Sequence, residues 1–593
     1  MSSLPAGLEI RGVKSPPGQL PASRGRGLFA TRSFAPGQEI GVFNKPLLVL
    51  PSGPDATRTC NYCLDPRHVP VKLCTGCRAV AYCGPACQRA HWSRFHKVEC
   101  KALQAAFASA AETAAATPGA VVRPLPTPVR SLMLLILQWA RSPEIRAAVD
   151  KLESNTRAFI ANPELWDDFK MQAAAACKFS SWFSEDQIKT AVEALCRIHT
   201  NAFDRFEPDL DLSGSFLDVS LAMANHSCMP NAVVGFSGQA AYLRAQNPIA
   251  VGDEVTISYV DWTKPKNERQ KGLRLYNFQC SCPRCRDDLD VYQATQISPI
   301  LSLNDYSSSP SSSSSSSPQR FFSVVPDVDL LRNPPVLRDS AHNVTPQQVE
   351  AMYTSAQAIL AAEPFEDDST TGHLSSMRQL MRTCRPLIEA KRWAVEPLAQ
   401  LMRLAVIHCI EVGNYAHLLV FACFTAQHVD SVQFPAPFAT WRTKGLLSIA
   451  KALPHALLLV MPDLPVEQGG DGGVAAREAR GQGGDPRRRV DPRVLDILLD
   501  ARNGGLFMTL LMMIMHNGPL GHSAEWPPLD NARRLLASFQ ADPSHATVIN
   551  IVNEWFADPY SPDNVDFFED ELLGPINRLS VLAPELLEAL VKE

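Results

Sequence analysis

The chain has 593 residues, 46% hydrophobic and 20% charged, with a net charge of −5. That is the composition of a globular protein of several domains, long enough to bury sizeable cores. The acidic balance argues against a generally basic nucleic-acid binder. The most apolar runs, Leu132–Leu137, Leu457–Met461 and Leu506–Met515, fall well short of the ~20 residues that span a bilayer.

The opening stretch MSSLPAGLEIRGV has no basic segment followed by an apolar run, so no secretory leader is expected and a soluble, intracellular protein is. Residues 8–55 alternate short apolar runs with glycine turns, as in GRGLFATRSFAPGQEIGVF, and read as short strands. Seven of the 16 cysteines then fall between Cys60 and Cys100. They are ordered as Cys60-x-x-Cys63, Cys74-x-x-Cys77, Cys83-x-x-x-Cys87 and His96-x-x-x-Cys100. A lone Cys-x-x-Cys could be a redox pair, but four ordered ligand pairs point to metal. Zinc takes four thiolate or imidazole ligands, so two ions account for all eight. A block this short, with so thin an apolar core, needs such staples to fold. His91 is left over and reads as a surface histidine beside Trp92, because His-x-x-x-Cys sets His96 and Cys100 on one helix face.

Residues 101–199 are alanine-rich and helical in pattern, with SLMLLILQWA as a buried helix. Strand signals return over 200–262, in AVVGF, AAYLRA and EVTISYV. This region holds Asn225-His226-Ser227-Cys228-Met229-Pro230-Asn231. Asn-His-Ser matches a glycosylation acceptor, which matters only in a secreted chain. Within 263–290, Cys280, Cys282 and Cys285 supply three ligands, and Cys228 is the natural fourth. Cys177, Cys196, Cys384, Cys409 and Cys423 sit in helical apolar segments and read as core thiols. Residues 291–344 contain the serine tract 307–317 and read as a disordered linker. Residues 345–593 read as helices, with Leu398, Leu401, Met402, Ala405 and Cys409 on one face and Gly413 as a stop. The Gly- and Arg-rich stretch 466–489 reads as a disordered insertion, with Arg487-Arg488-Arg489 in a solvated loop.

The cysteine block at 60–100, with Tyr82-Cys83, Cys87-Gln88, Trp92 and HKVEC, resembles a MYND zinc finger. That resemblance implies interleaved sites: Cys60, Cys63, Cys83 and Cys87 on one zinc, and Cys74, Cys77, His96 and Cys100 on the other. Trp92 and His96 lie one residue further apart than the family pattern. RGRGLFA (Arg24–Ala30), NHSCMPN, GDEVTISYVD (Gly252–Asp261) and FQCSCPRC (Phe278–Cys285) resemble a split SET domain. With the finger inserted, the chain resembles the SET-and-MYND family of protein lysine methyltransferases, as a fungal-type or divergent member.

The resemblance implies an α+β fold: a split β-rich SET domain with an inserted finger and a helical insert, then an all-α, TPR-like C-terminal domain. It implies S-adenosylmethionine-dependent N-methylation of lysine on histone or non-histone proteins, three structural Zn2+ ions, and protein partners for the finger. The third ion would sit on Cys228, Cys280, Cys282 and Cys285. Tyr259 matches the catalytic tyrosine. Arg24, Gly25, Arg26, Gly27, Thr200, Asn201, Asn225, His226, Tyr259 and Phe278 match cofactor contacts, and Phe203 and Tyr276 the walls of the lysine channel. A monomer in nucleus and/or cytoplasm is expected, with no membrane and no direct nucleic-acid contact. The competing reading is a catalytically weak or inactive adaptor that recruits partners through the finger and the helical domain. The chemistry suits the residue types. A lysine of pKa ~10.4 must lose a proton first, which costs ~4–5 kcal/mol at pH 7. A narrow, partly apolar channel lowers that cost, and the rest is alignment.

Overall fold

The computed structural model describes residues 4–13, 25–65, 67–116, 124–207, 212–306, 321–338, 344–362, 369–462 and 490–592. The chain divides into two compact units. One comprises residues 1–245, 249–259 and 270–280; the other comprises 246–248, 260–269 and 281–593.

In the first unit, β1 (Leu8–Gly12) pairs antiparallel with β2 (Arg26–Ala30). β3 (Glu39–Phe43) joins a sheet with the hairpin β10 (Ala232–Ser237) and β11 (Ala240–Ala245), in the order β10-β11-β3. β4 (Leu48–Pro51), β8 (Leu212–Leu217) and β7 (Phe203–Glu207) form a third sheet in the order β4-β8-β7. The strands bury Leu28, Phe43, Val49, Phe216 and Leu243 in one core with Phe34 and Ile257. The run EVTISYV is shorter as a strand than its β-branched residues suggest. Val255 N–H donates to the Leu28 carbonyl, so Glu254 and Val255 lie along β2. Only β12 (Thr256–Ile257) remains to pair, in parallel, with β9 (Asn225–His226).

The finger contributes β5 (Lys72–Leu73), β6 (Ala81–Tyr82), α1 (Pro85–His91) and α2 (Lys97–Ala115). The helical insert contributes α3 (Thr127–Trp139), α4 (Pro143–Val149), α5 (Thr156–Ile160), α6 (Pro163–Ser180) and α7 (Glu185–Asn201). α3 is apolar nearly all round because α2, α6, α7 and β4 all pack on it, which is what such a sequence requires. A capping box of Ser184 and Gln187 starts α7, and Ala202 turns extended, so Thr200 and Asn201 end the helix directly before β7.

The second unit is helical. Its larger helices are α8 (Pro346–Ala361), α9 (Ser369–Thr383), α10 (Leu398–Glu411), α11 (Tyr415–Phe424), α12 (Thr440–Leu457), α13 (Pro492–Asp500), α14 (Gly505–Gly521), α15 (Pro527–Ala541), α16 (Ala546–Ala557), α17 (Pro562–Phe568) and α18 (Gly574–Lys592). α11 packs on α10, α12 and α18, and the buried thiols of Cys384, Cys409 and Cys423 lie in this core. Gly413 follows α10 with a φ of +69°, a left-handed stop that glycine adopts without penalty. No single helix among the described residues is long and apolar enough to cross a membrane.

The reading of 291–344 as a disordered linker is corrected for its described parts. Val291–Gln296 and Asp329–Arg332 are helical, and Phe321, Phe322, Val324 and Val325 are buried. Four apolar residues in a run of five, FFSVV, outweigh the serine-rich average around them. The serine tract 307–317 and the stretch 466–489 lie outside the described residues.

Candidate active site

The sulfurs of Cys60, Cys63, Cys83 and Cys87 lie within 4.8 Å of one another, as do the ligand atoms of Cys74, Cys77, His96 and Cys100. Cys63 and Cys83 are 3.7 Å apart, Cys83 and Cys87 3.5 Å, and Cys74 and Cys100 3.9 Å. A tetrahedron of 2.3 Å zinc–sulfur bonds needs sulfurs about 3.8 Å apart, so these donor sets fit zinc. No cysteine is in a disulfide. The groups brought together are the interleaved pairs. The extra residue between Trp92 and His96 is taken up by a π-helical turn over Trp92–His96. A wide turn is how a helix absorbs one residue too many without losing its ladder. His96 therefore still points Nε2 at Cys74 and Cys77, at 3.3 and 3.6 Å.

His91 is not a surface histidine. It is fully buried, its Nδ1 2.9 Å from the Tyr82 hydroxyl and its ring stacked 5.5 Å from that of His96. Trp92 is the residue that turns outward. Burial pushes the His91 imidazole down to about 3, so it is neutral.

Cys228, Cys280, Cys282 and Cys285 form a third group with sulfurs within 4.8 Å. The Gln270 side chain fixes Cys280 from both directions, donating to its carbonyl at 2.9 Å and accepting from its N–H at 3.1 Å. His226 is buried. Its Nδ1 accepts from the Tyr259 N–H at 3.0 Å, which leaves Nε2–H to face Cys228 Sγ at 3.3 Å. His226 thus couples the cysteine group to the backbone of Tyr259.

Around it the motifs converge. Asn225 Nδ2 donates to Glu254 Oε1 at 2.7 Å and to the Arg26 carbonyl at 3.1 Å. Asn231 donates to the Glu254 carbonyl at 2.9 Å and accepts from Thr256 N–H at 2.8 Å, so the NHSCMPN turn and the GDEVT segment are stitched together. Gly27 sits under this pair. A Cβ there would lie 2.7 Å from Glu254 Oε1 and 2.9 Å from Asn225 Nδ2, so any side chain would push this pair aside. Gly25 has a φ of +67°. Arg24 lies outside the described residues.

The Tyr259 hydroxyl donates to the Ala224 carbonyl at 2.7 Å. Its ring packs 4.7 Å from Tyr276 and 6.3 Å, edge to face, from Phe278. Burial, with smaller contributions from Tyr276 and Glu254, raises its pKa above the ordinary phenol range. Tyr276 is raised too, by burial and by the nearby Asp204 carboxylate. Phe278 is 36% exposed, an aromatic face still open to a planar group. Phe203 packs its ring on Phe236, 6.3 Å away, and joins the sheet core.

Sequence reasoning missed one participant. The loop 151–155 of the helical insert is held by the site from several sides. Arg26 bonds the Lys151 carbonyl. Asn201 Nδ2 donates to the Glu153 carbonyl at 2.7 Å, and Thr200 Oγ1 to the Ser154 carbonyl at 3.4 Å. Asn155, left-handed at φ 49°, donates from Nδ2 to the Tyr276 carbonyl at 3.2 Å. The signal was the Ser-Asn turn between two helical runs, since Asn tolerates that conformation. Arg26, Thr200 and Asn201 thus bind protein groups here and shape the wall between insert and strands.

A family model of the SET domain matches residues 25–260. Over 265 residues, 44% of this chain, it is 33% identical to "SET domain and MYND-type zinc finger protein 6" of Schizosaccharomyces pombe, covering 50% of that protein. It is 28% identical over 269 residues to histone-lysine N-methyltransferase ASHR1 of Arabidopsis thaliana, with 44% of this chain and 53% of that one covered. It is 30% identical over 280 residues to histone-lysine N-methyltransferase SMYD3 of Homo sapiens, with 45% and 60% covered. The chain therefore spans about half to three fifths of these relatives. With the eight-ligand cysteine block set inside the matched SET segment, and relatives of this kind aligned with it, the chain is similar to proteins that combine a SET domain with a MYND-type zinc finger.

Proposed function

We propose that this protein is an S-adenosylmethionine-dependent protein-lysine N-methyltransferase, with histone or other protein substrates and a finger that binds protein partners. The observation that carries the reading is the Tyr259 hydroxyl, fixed by Ala224 in a pocket of aromatic rings beside Asn225, His226 and Phe278. With the Asn225 amide nitrogen held by Glu254 and Arg26, Asn225 Oδ1 and the open face of Phe278 are an acceptor and a platform that fit the cofactor's polar and adenine parts, and Gly27 and His226 position them. When bound, S-adenosylmethionine supplies an electrophilic methyl group on a sulfonium.

The protein residues do the rest. Because its proton is donated to Ala224, the Tyr259 oxygen keeps lone pairs for a substrate ammonium or amine. Tyr259 remains neutral at physiological pH, so it orients the nucleophile and does not deprotonate it. Tyr259 and Tyr276 make an aromatic wall that disfavours the charged ammonium. Asp204, beside Tyr276, attracts it to the mouth. The three cysteine-containing groups would each hold one zinc ion. The Cys228 group would clamp His226, and through it Tyr259.

The test is calorimetry of the zinc-loaded chain with S-adenosylmethionine, followed by transfer assays on histones and on a non-histone protein mixture. The Tyr259→Phe variant should bind the cofactor within about threefold of wild type and lose about 10²-fold in turnover, the size expected for one preorganised hydroxyl. A chain that fails to bind the cofactor, or a variant with undiminished turnover, would sink the proposal.

A further inference from the structure

In the helical unit, α9 and α10 bring together His373, His408 and Glu411, whose ligand atoms lie within 4.8 Å of one another. His408 and Glu411 are three residues apart on α10 and so share a face. His373 reaches them from the first turns of α9, with Nδ1 2.7 Å from Glu411 Oε2. From this juxtaposition we infer a fourth metal site, unrelated to the cysteine groups: a clasp of two imidazoles and one carboxylate for Zn2+ or a similar first-row dication, joining α9 to α10.

An ion pair between His373 and Glu411 explains two of the three groups and leaves His408 unexplained. That imidazole is only 3% exposed, and its buried Nδ1 has no hydrogen-bond partner. Such an orphaned polar atom costs about 1–3 kcal/mol unless something uses it. Burial also holds the ring below its ordinary pKa, so it is neutral and has a lone pair to give. Two imidazoles and one carboxylate are the protein ligands of an open zinc site, with the fourth position left to solvent. The Glu411 side chain is 31% exposed, so water reaches it. Bonds of about 2.0–2.2 Å in a tetrahedron place donors about 3.4 Å apart. That value lies between the 2.7 Å of the His373–Glu411 pair and the 4.8 Å outer limit of the group.

The full chain, first loaded with zinc on its cysteine groups, is titrated with CoCl2 under absorption and with ZnCl2 in a calorimeter. One further equivalent should bind. Its cobalt spectrum should show weak ligand-field bands without the strong thiolate charge-transfer bands that exchange into a cysteine group would give. His408→Ala, His373→Ala and Glu411→Gln should each weaken the added equivalent at least tenfold while leaving cofactor binding unchanged. His373 and Glu411 are partly exposed, so their variants decide the matter if His408→Ala fails to fold. No added equivalent, thiolate bands only, or undiminished binding by the His373→Ala and Glu411→Gln variants would overturn the inference.

Discussion

Glu254 occupies the junction of three motifs, and its two hydrogen bonds divide its roles. Its carboxylate accepts from Asn225 and its backbone carbonyl from Asn231. Removing the carboxylate frees the Asn225 amide to swing, while the backbone stitch survives. Glu254→Ala should therefore weaken S-adenosylmethionine about tenfold, ~1.4 kcal/mol, with little change in melting temperature. Glu254→Gln, which keeps an acceptor, should recover most of the affinity, and calorimetry reads both. Gly27→Ala acts on the same pair by crowding, with contacts of 2.7 and 2.9 Å that must relax. It should cost ~1–3 kcal/mol of stability in a denaturant melt as well as affinity. The raised pKa of Tyr259 makes a further claim about pH. An acid whose folded pKa is raised stays protonated to higher pH, so the phenol remains neutral through and beyond its ordinary value of ~10. The transfer rate should climb from pH 7 to 9 as the substrate lysine deprotonates, with no falling limb from Tyr259. Tyr259→Phe should give the same profile at a lower level, and a falling limb that the variant abolishes would contradict this role.

At the level of elements, α3 does more for the finger than its apolar letters suggest. Arg130 on α3 is 4% exposed and donates to both oxygens of Glu99, at 2.8 and 3.1 Å. Glu99 in turn lies 3.1 Å from His96 Nδ1, and Arg130 also donates to Asn61 Oδ1 at 3.0 Å, beside Cys60. One guanidinium from the helical insert thus braces ligands of both finger groups. The Glu99 carboxylate is held well below its ordinary pKa chiefly by that guanidinium, against the penalty of burial. Cutting one partner from such a buried pair costs about 3–5 kcal/mol, and outer contacts of this kind are worth 10–100-fold in metal affinity. Arg130→Met should release finger zinc to a chelating dye 10–100 times more readily, and α3 should remain helical. The metal ligands were legible in the sequence because thiolate chemistry demands particular residues at particular spacings. Arg130 was not, since a single arginine at the start of VRSLMLLIL reads as a solvated helix end. The loop 151–155 was illegible for a related reason: its partners are backbone carbonyls, which any residue supplies.

For the molecule as a whole, the same distinction separates what depends on metal from what depends on apolar packing. The short apolar run FFSVV was lost in the average of a serine-rich region, although Phe321, Phe322, Val324 and Val325 are all buried. Burial of α8–α18 rests on a large core in which Cys384, Cys409 and Cys423 are solitary buried thiols. The finger has only a thin set of core residues around its eight ligand atoms, so metal held on them would carry much of its fold. Stripping zinc should therefore act selectively. His226 loses its fixed Cys228 neighbour, the Asn225–Tyr259 geometry loosens, and cofactor binding disappears before the helices do. After treatment with a strong chelator, metal analysis should show empty cysteine groups and calorimetry no S-adenosylmethionine binding, while most of the far-UV helical signal persists. Returning zinc should restore binding. If the stripped chain binds the cofactor as tightly as the loaded one, Asn225 and Tyr259 are held by strand pairing alone, and the cysteine groups have no part in shaping the site.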